Sequence, residues 1–267
     1  MKTPGGALST RPLHFIWMVD TSGSMSYDGK IQALNNAIRE AIPHMQQVAE
    51  DNPNAQVLVR SICFSSGALW NIGKPTPVSE FQWEDVKADG VTDLGNALFM
   101  VADQLRMPPM NERALPPVLV LLSDGQPTDE FDAGLVALMK EPWGQKSVRV
   151  AIAIGADADH DTLQKFIGNS QMRPLQANNP EALVRHIKWA STAVLKAAST
   201  PVQAAPAAPA AAAAPAATAP PMESAPPVAS TPPAVQPAAA PAPAPAYVPP
   251  AIPTPPAYSS DAGDDVW

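Results

Sequence analysis

The chain is poor in the residues that small proteins use for covalent or soft-metal cross-links. Of its 267 residues only one is cysteine, Cys63. An internal disulfide is therefore excluded, and so is a cysteine-based zinc centre. The run Val59-Arg60-Ser61-Ile62-Cys63-Phe64 reads as a strand, so the thiol is expected to be buried and inert. Long apolar runs are missing as well; none approaches the roughly 20 residues that a membrane-spanning helix needs. The first 12 residues carry no apolar stretch of the kind found in secretory leaders, so a soluble, cytoplasmic protein is the expectation. Positive charge is absent beyond Lys196: all 17 Lys and Arg lie at or before it, and the net charge is −8. An acidic chain without a basic run argues against nucleic acid or an anionic membrane as its main partner.

Proline, by contrast, is abundant, with 33 residues. Together with alanine it fills the later part of the chain and divides it in three. Residues 1–198 have the composition of a globular domain. Residues 199–258 form an Ala/Pro-rich linker that is expected to be disordered, because it has few large side chains and proline denies it both helix and sheet. Such a segment extends about 3.1 Å per residue where it is polyproline-like. Residues 259–267 form an acidic-aromatic peptide. Within it, Asp264 and Asp265 offer carboxylates and Trp267 an aromatic anchor, which makes them candidate partner-binding residues. Docking on another protein, docking on the globular part of this chain or of a neighbouring copy, and simple solvation all remain open for this peptide.

Within the globular part, residues 13–19 form a nearly continuous apolar run, as suits a strand buried on both faces. Residues 30–50 repeat Ile31, Leu34, Ile38, Ile42 and Met45 at helical spacing, with Pro43 expected to kink or end the helix. Residues 56–64 and 68–72 read as strands joined by Ser65-Ser66-Gly67, an antiparallel pair. A long loop covers residues 73–91. Helices are then expected at 93–107, 131–140, 159–167 and 180–196, and strands at 118–122, 147–154 and 172–175. Strands alternating with helices predict an α/β, doubly wound, mostly parallel Rossmann-like sheet with one antiparallel edge strand. In such sheets ligands bind beyond the carboxyl ends of the strands.

Three short runs lie at such positions. Asp20-Thr21-Ser22-Gly23-Ser24-Met25 follows the first apolar run. Ser123-Asp124-Gly125-Gln126-Pro127-Thr128-Asp129 follows the run at 118–122. Gly90-Val91-Thr92-Asp93-Leu94 lies between them. Their hydroxyls and carboxylates are hard oxygen donors, the kind that a Mg²⁺ or Mn²⁺ ion prefers. Ser22, Ser24 and Thr92 can give neutral oxygens directly. Asp20 and Asp124 can bind directly or hold metal-bound waters. Gly23 lets its loop pass close to the ion. Asp93 is expected to cap the helix that follows it.

The arrangement Asp20-x-Ser22-x-Ser24, with Thr92 and Asp124 far downstream, resembles the metal-ion-dependent adhesion site of von Willebrand factor A (VWA) domains. The resemblance spans roughly residues 10–198. The two longer runs are similar to the TerY-like bacterial branch, which is associated with tellurium resistance and stress. The resemblance implies a VWA fold in which Asp20, Ser22, Ser24, Thr92 and Asp124 hold Mg²⁺ or Mn²⁺. It also implies direct ligation by the serines and the threonine, with the aspartates acting through water. A partner's Asp or Glu carboxylate would complete the shell. For this branch the implied partners are a protein kinase and/or a PPM-type protein phosphatase. Relatives often have serine where this chain has Asp93, and glycine where it has Val91. An alternative is a VWA scaffold with a metal-independent interface; a third reading is a metal-dependent phosphohydrolase. Against catalysis, Ser22 stands where an aspartyl phosphatase needs its second acid. No Gly-x-Ser-x-Gly elbow, P-loop lysine or kinase signature is present, and no histidine neighbours Ser22 or Ser24.

Overall fold

A computed structural model describes residues 10–199 and 252–255. The first strand, β1 (Arg11–Asp20), is buried from Leu13 to its end. It runs parallel to β2 (Ala55–Ser65), which turns back through Ser66 into the antiparallel β3 (Gly67–Pro77). On its other side β1 pairs in parallel with β4 (Val118–Ser123), followed by β5 (Val148–Ile154) and β6 (Leu175–Ala177). The sheet order is β3-β2-β1-β4-β5-β6, with β2–β3 the one antiparallel pair. This is the doubly wound sheet expected from the sequence, and β3 is its antiparallel edge. That strand runs five residues beyond the expected Ile72, to Pro77, with register shifts around Ser61.

Helices cover both faces, because right-handed crossovers from a twisted sheet leave only that solution. The chain winds one way from β1 through α1 (Lys30–Glu50) to β2. It winds the other way from β4 through α3 (Phe131–Lys140) and a short α4 (Pro142–Lys146) to β5; α2 (Leu94–Gln104) precedes β4 and packs on α3. After α5 (His160–Ile167) and β6, α6 (Pro180–Trp189) packs on α1. A π-helical turn, Ala190–Val194, leads into α7 (Leu195–Ser199). The direction of winding reverses between β1 and β4, and there the carboxyl ends of two neighbouring strands open a crevice.

Several local expectations are revised. Helix α1 runs through Pro43 without ending; burial of Ile31, Leu34, Ile38 and Met45 holds it against the sheet on both sides of the proline. The loop after β3 has no regular structure, yet α1 ties it down. The amide of buried Asn35 accepts from Trp83 Nε1 (2.9 Å) and from the Val86 N–H (3.0 Å), and it donates to the Val86 carbonyl (2.9 Å). Cys63 is buried, as expected, and burial pushes its thiol up to about 12. Among the described residues no helix is long and apolar enough to cross a membrane.

The linker assigned to 199–258 lies outside the described residues except for Ser199 and 252–255. The peptide 259–267, with Asp264, Asp265 and Trp267, lies wholly outside them. Ile252 is half-buried and packs against the hydrophobic core, so this part of the proline-rich region does not behave as a bare spacer.

Candidate metal site at the switch point

Strands β1 and β4 are in register, with Val19 opposite Leu122, so their next residues, Asp20 and Ser123, emerge side by side. The Ser123 hydroxyl donates to Asp20 Oδ2 at 2.5 Å, and the Ser22 N–H donates to Asp20 Oδ1 at 2.8 Å. One residue beyond Ser123, Asp124 Oδ1 accepts the Ser24 hydroxyl at 2.7 Å. The Ser22 and Ser24 hydroxyl oxygens are 2.9 Å apart. Asp20, Ser22, Thr92 and Asp124 are all buried, whereas Ser24 is half-buried.

Three loops are stitched together to bring Thr92 in. The Gly23 N–H donates to the Gly90 carbonyl (3.0 Å) and the Asp89 N–H to the Thr21 carbonyl (2.8 Å). The first of these contacts suits glycine, since a Cβ on Gly23 would sit 3.2 Å from the Gly90 carbonyl oxygen. Thr92 and Thr128 lock the second and third loops. The Thr92 N–H donates to Thr128 Oγ1 (3.1 Å), and the Thr128 N–H donates to the Thr92 carbonyl (2.8 Å).

Gly125 shows where these groups converge. A Cβ built on it would lie 3.3 Å from Thr92 Oγ1 and 3.8 Å from Ser24 Oγ. Glycine thus leaves open a space flanked by hydroxyls from two different loops. All four carboxylate oxygens of Asp20 and Asp124 accept hydrogen bonds from the protein. Asp124 therefore fixes the Ser24 hydroxyl, Asp20 fixes the Ser22 backbone, and both set the charge, while the hydroxyl oxygens retain lone pairs. This donor set fits Mg²⁺ or Mn²⁺, hard cations that take neutral oxygens and keep waters. Among the described residues no group of three or more His, Cys, Asp or Glu side chains is arranged to hold a metal.

The sequence reading missed one residue of the site. Lys30, the first residue of α1, is buried and its Nζ donates to Asp124 Oδ2 at 2.9 Å. A lysine in the first turn of a helix opposes the helix dipole, so its position in the sequence already hinted at a nearby carboxylate. Burial raises the Asp20 carboxyl to about 6; the hydrogen bonds from Ser123 and Ser22 pull the other way, and the neighbouring Asp124 charge adds to the rise.

Asp93 does not cap α2. Its Oδ2 accepts the Gly67 N–H (2.7 Å) and its Oδ1 the Thr128 hydroxyl (3.0 Å), so it joins the β2–β3 turn to the loop after β4. The helix end is capped from elsewhere: Asp129 accepts the N–H groups of Gly95 and Asn96, both at 2.8 Å. Tertiary approach of the β4–α3 loop replaced the local cap.

No family model and no curated protein matches the chain. Solved structures do match. The pilus adhesin SpaC from Lactobacillus rhamnosus GG superposes with a TM-score of 0.56 at 17% identity, covering 70% of this chain and 30% of that one. Proximal thread matrix protein 1 from the mussel byssus, solved with a zinc-occupied MIDAS motif, gives 0.52 at 17% identity, covering 68% and 48%. A von Willebrand factor type A structure from Catenulispora acidiphila gives 0.51 at 16% identity, covering 71% and 43%. This chain therefore spans less than half the length of each. The fold is that of the von Willebrand factor A domain.

Proposed function

We propose that this chain is a metal-dependent protein-binding module that captures a partner's Asp or Glu carboxylate. The observation that carries the reading is the convergence of the Ser22, Ser24 and Thr92 hydroxyls with Asp20 and Asp124 at the switch point. A Mg²⁺ or Mn²⁺ ion bound there supplies an electrophilic coordination position for the incoming carboxylate. Ser22, Ser24 and Thr92 would offer it neutral oxygens; Asp124 holds the Ser24 hydroxyl in place, and Asp20 holds the Ser22 backbone. Two apolar side chains stand exposed next to these loops, Tyr27 at 69% and Val91 at 47% exposure, and offer contacts to residues flanking the carboxylate. The reading is of a binding module and not an enzyme, since no histidine hydrogen-bonds to Ser22 or Ser24, and the carboxylate that accepts from Ser24, that of Asp124, is already paired with Lys30. The likeness of the two loop sequences to the TerY-like branch supports a cytoplasmic stress or phosphosignalling role with a protein kinase and/or a PPM-type phosphatase as partner.

A second reading, a metal-independent interface on the same scaffold, draws on Lys30, which already neutralises Asp124. Calorimetric titration with Mg²⁺ and Mn²⁺, together with recovery of bound proteins with and without chelator, separates the two. The metal reading expects saturable binding that Asp20→Ala abolishes while the cooperative melt persists, and partner recovery that chelator removes. Partner recovery unchanged in chelator would overturn it.

A further inference from the structure

Among the described residues, the positive charge joined to the candidate site is the Lys30 ammonium, which pairs with Asp124. Lysine is almost never fully buried unless it is paired. Here the side chain is 6% exposed, with Nζ 2.9 Å from Asp124 Oδ2 and 3.6 Å from Oδ1 of the largely exposed Asp157. Its housing is built for it. A Cβ on Gly155 would come within 2.9 Å of Nζ and 3.1 Å of Cε, so the lysine head packs against backbone that only glycine leaves free. The same Asp124 holds the Ser24 hydroxyl through its other oxygen. Lys30 therefore stands one carboxylate away from a candidate ligand.

We infer that Lys30 weakens the bare cation site and thereby couples cation binding to the arrival of a carboxylate. The inference rests on the metal reading above. With Lys30 in place, the three buried groups, Asp20, Asp124 and the ammonium, sum to one formal negative charge; the Asp157 carboxylate is 75% exposed and screened by solvent. A divalent cation leaves the buried centre with an excess positive charge. An incoming carboxylate cancels that excess, so cation and carboxylate each tighten the other's binding, as linkage requires. Without Lys30, the two aspartates neutralise the cation themselves. The cation then binds well alone, and little charge remains to attract a partner.

The test uses the full chain, with Mn²⁺ as the cation and acetate as the carboxylate probe, by calorimetry at constant ionic strength. For the wild type, saturating acetate should tighten Mn²⁺ binding several-fold. Lys30→Met should bind Mn²⁺ at least about tenfold tighter without acetate, because a buried unit charge one carboxylate away from Ser24 is removed. Acetate should then add little. A folded Lys30→Met with unchanged or weaker Mn²⁺ affinity overturns the inference and leaves Lys30 as a holder of Asp124. If Lys30→Met lacks a cooperative melt, Lys30→Gln is measured beside it. Recovery of the melt on adding Mn²⁺ supports the inference, and failure of both variants to recover overturns it. A folded wild type that binds no Mn²⁺ with or without acetate fails differently, because it removes the metal reading itself.

Discussion

Ser123 donates its hydroxyl to Asp20 across the β1–β4 boundary, at 2.5 Å and in full burial. The bond does two things. It satisfies a carboxylate oxygen that has no access to water, and it opposes the burial that raises Asp20 to about 6. Ser123→Ala should therefore cost about 1–3 kcal/mol of stability, the usual cost of orphaning a buried acceptor. It should also push the Asp20 carboxyl further up. Protons then compete better with a cation, so the variant's Mn²⁺ affinity should fall more steeply than the wild type's between about pH 8 and about pH 6.5. Parallel affinity profiles for the two proteins would contradict this role for Ser123.

Gly125→Ala tests the open space directly. The new methyl would sit 3.3 Å from Thr92 Oγ1, tighter than ordinary contact but not a clash, and it would fill the gap between Thr92 and Ser24. Mn²⁺ affinity should drop by at least about tenfold, while stability changes by about 1 kcal/mol or less. The check is calorimetry alongside urea unfolding. Undiminished Mn²⁺ binding would place the cation elsewhere.

Much of this site was legible because its signals are local. Asp20, Ser22 and Ser24 share one run directly after an apolar strand, and Asp124 follows another. A parallel sheet brings strand ends together, so two strand-terminal carboxylates predict a shared crevice without any knowledge of distances. Lys30 was not read as a site residue, since its partner lies 94 positions away; only its place in the first turn of α1, against the helix dipole, hinted at a carboxylate, and nothing said which. Asp93 misled for the opposite reason. It stands where a cap belongs by local rules, but Asp129, 34 positions beyond Gly95, reaches that N–H first and leaves Asp93 free to bridge Gly67 and Thr128. Pro43 likewise shows packing outweighing local propensity, because burial on both sides of it sustains α1.

Asp129 should therefore matter to both stability and the site. Its two oxygens satisfy two N–H groups that the first turn of α2 cannot pair internally. Asp129→Ala should cost about 1–2 kcal/mol, as the loss of an N-terminal cap does. The same bonds hold the loop carrying Thr128 against Thr92, so Mn²⁺ affinity should also fall. Asp93→Ala should leave this cap intact. Hydrogen-exchange protection of the Gly95 and Asn96 amides decides whether the cap lies where the geometry puts it, since Asp93→Ala loses its own bonds to Gly67 and Thr128; protection lost in Asp93→Ala and kept in Asp129→Ala would reverse the assignment.

Acid should act on the domain through His14. Its ring is buried beside Arg60, whose Nη2 lies 3.4 Å from Nδ1, and burial followed by the Arg60 charge lowers it from 6.5 to about 4. Below about pH 6.5 the unfolded chain takes up a proton that the native ring refuses, so stability is lost as pH falls toward 4. The full effect is about 3 kcal/mol. Asp20 works in the opposite direction. Its native carboxyl, raised to about 6, takes up a proton before the unfolded one does, which favours the native state over part of the same range. A wild-type curve alone mixes the two. His14→Asn removes the titrating ring and keeps a neutral acceptor for Arg60, while Asp20 remains common to both proteins. The difference between the two curves should then tilt toward the variant by about 3 kcal/mol from about pH 7 to about pH 4, read by urea unfolding at each pH. Curves that stay parallel across that window would mean that native His14 takes up its proton as readily as the unfolded chain does.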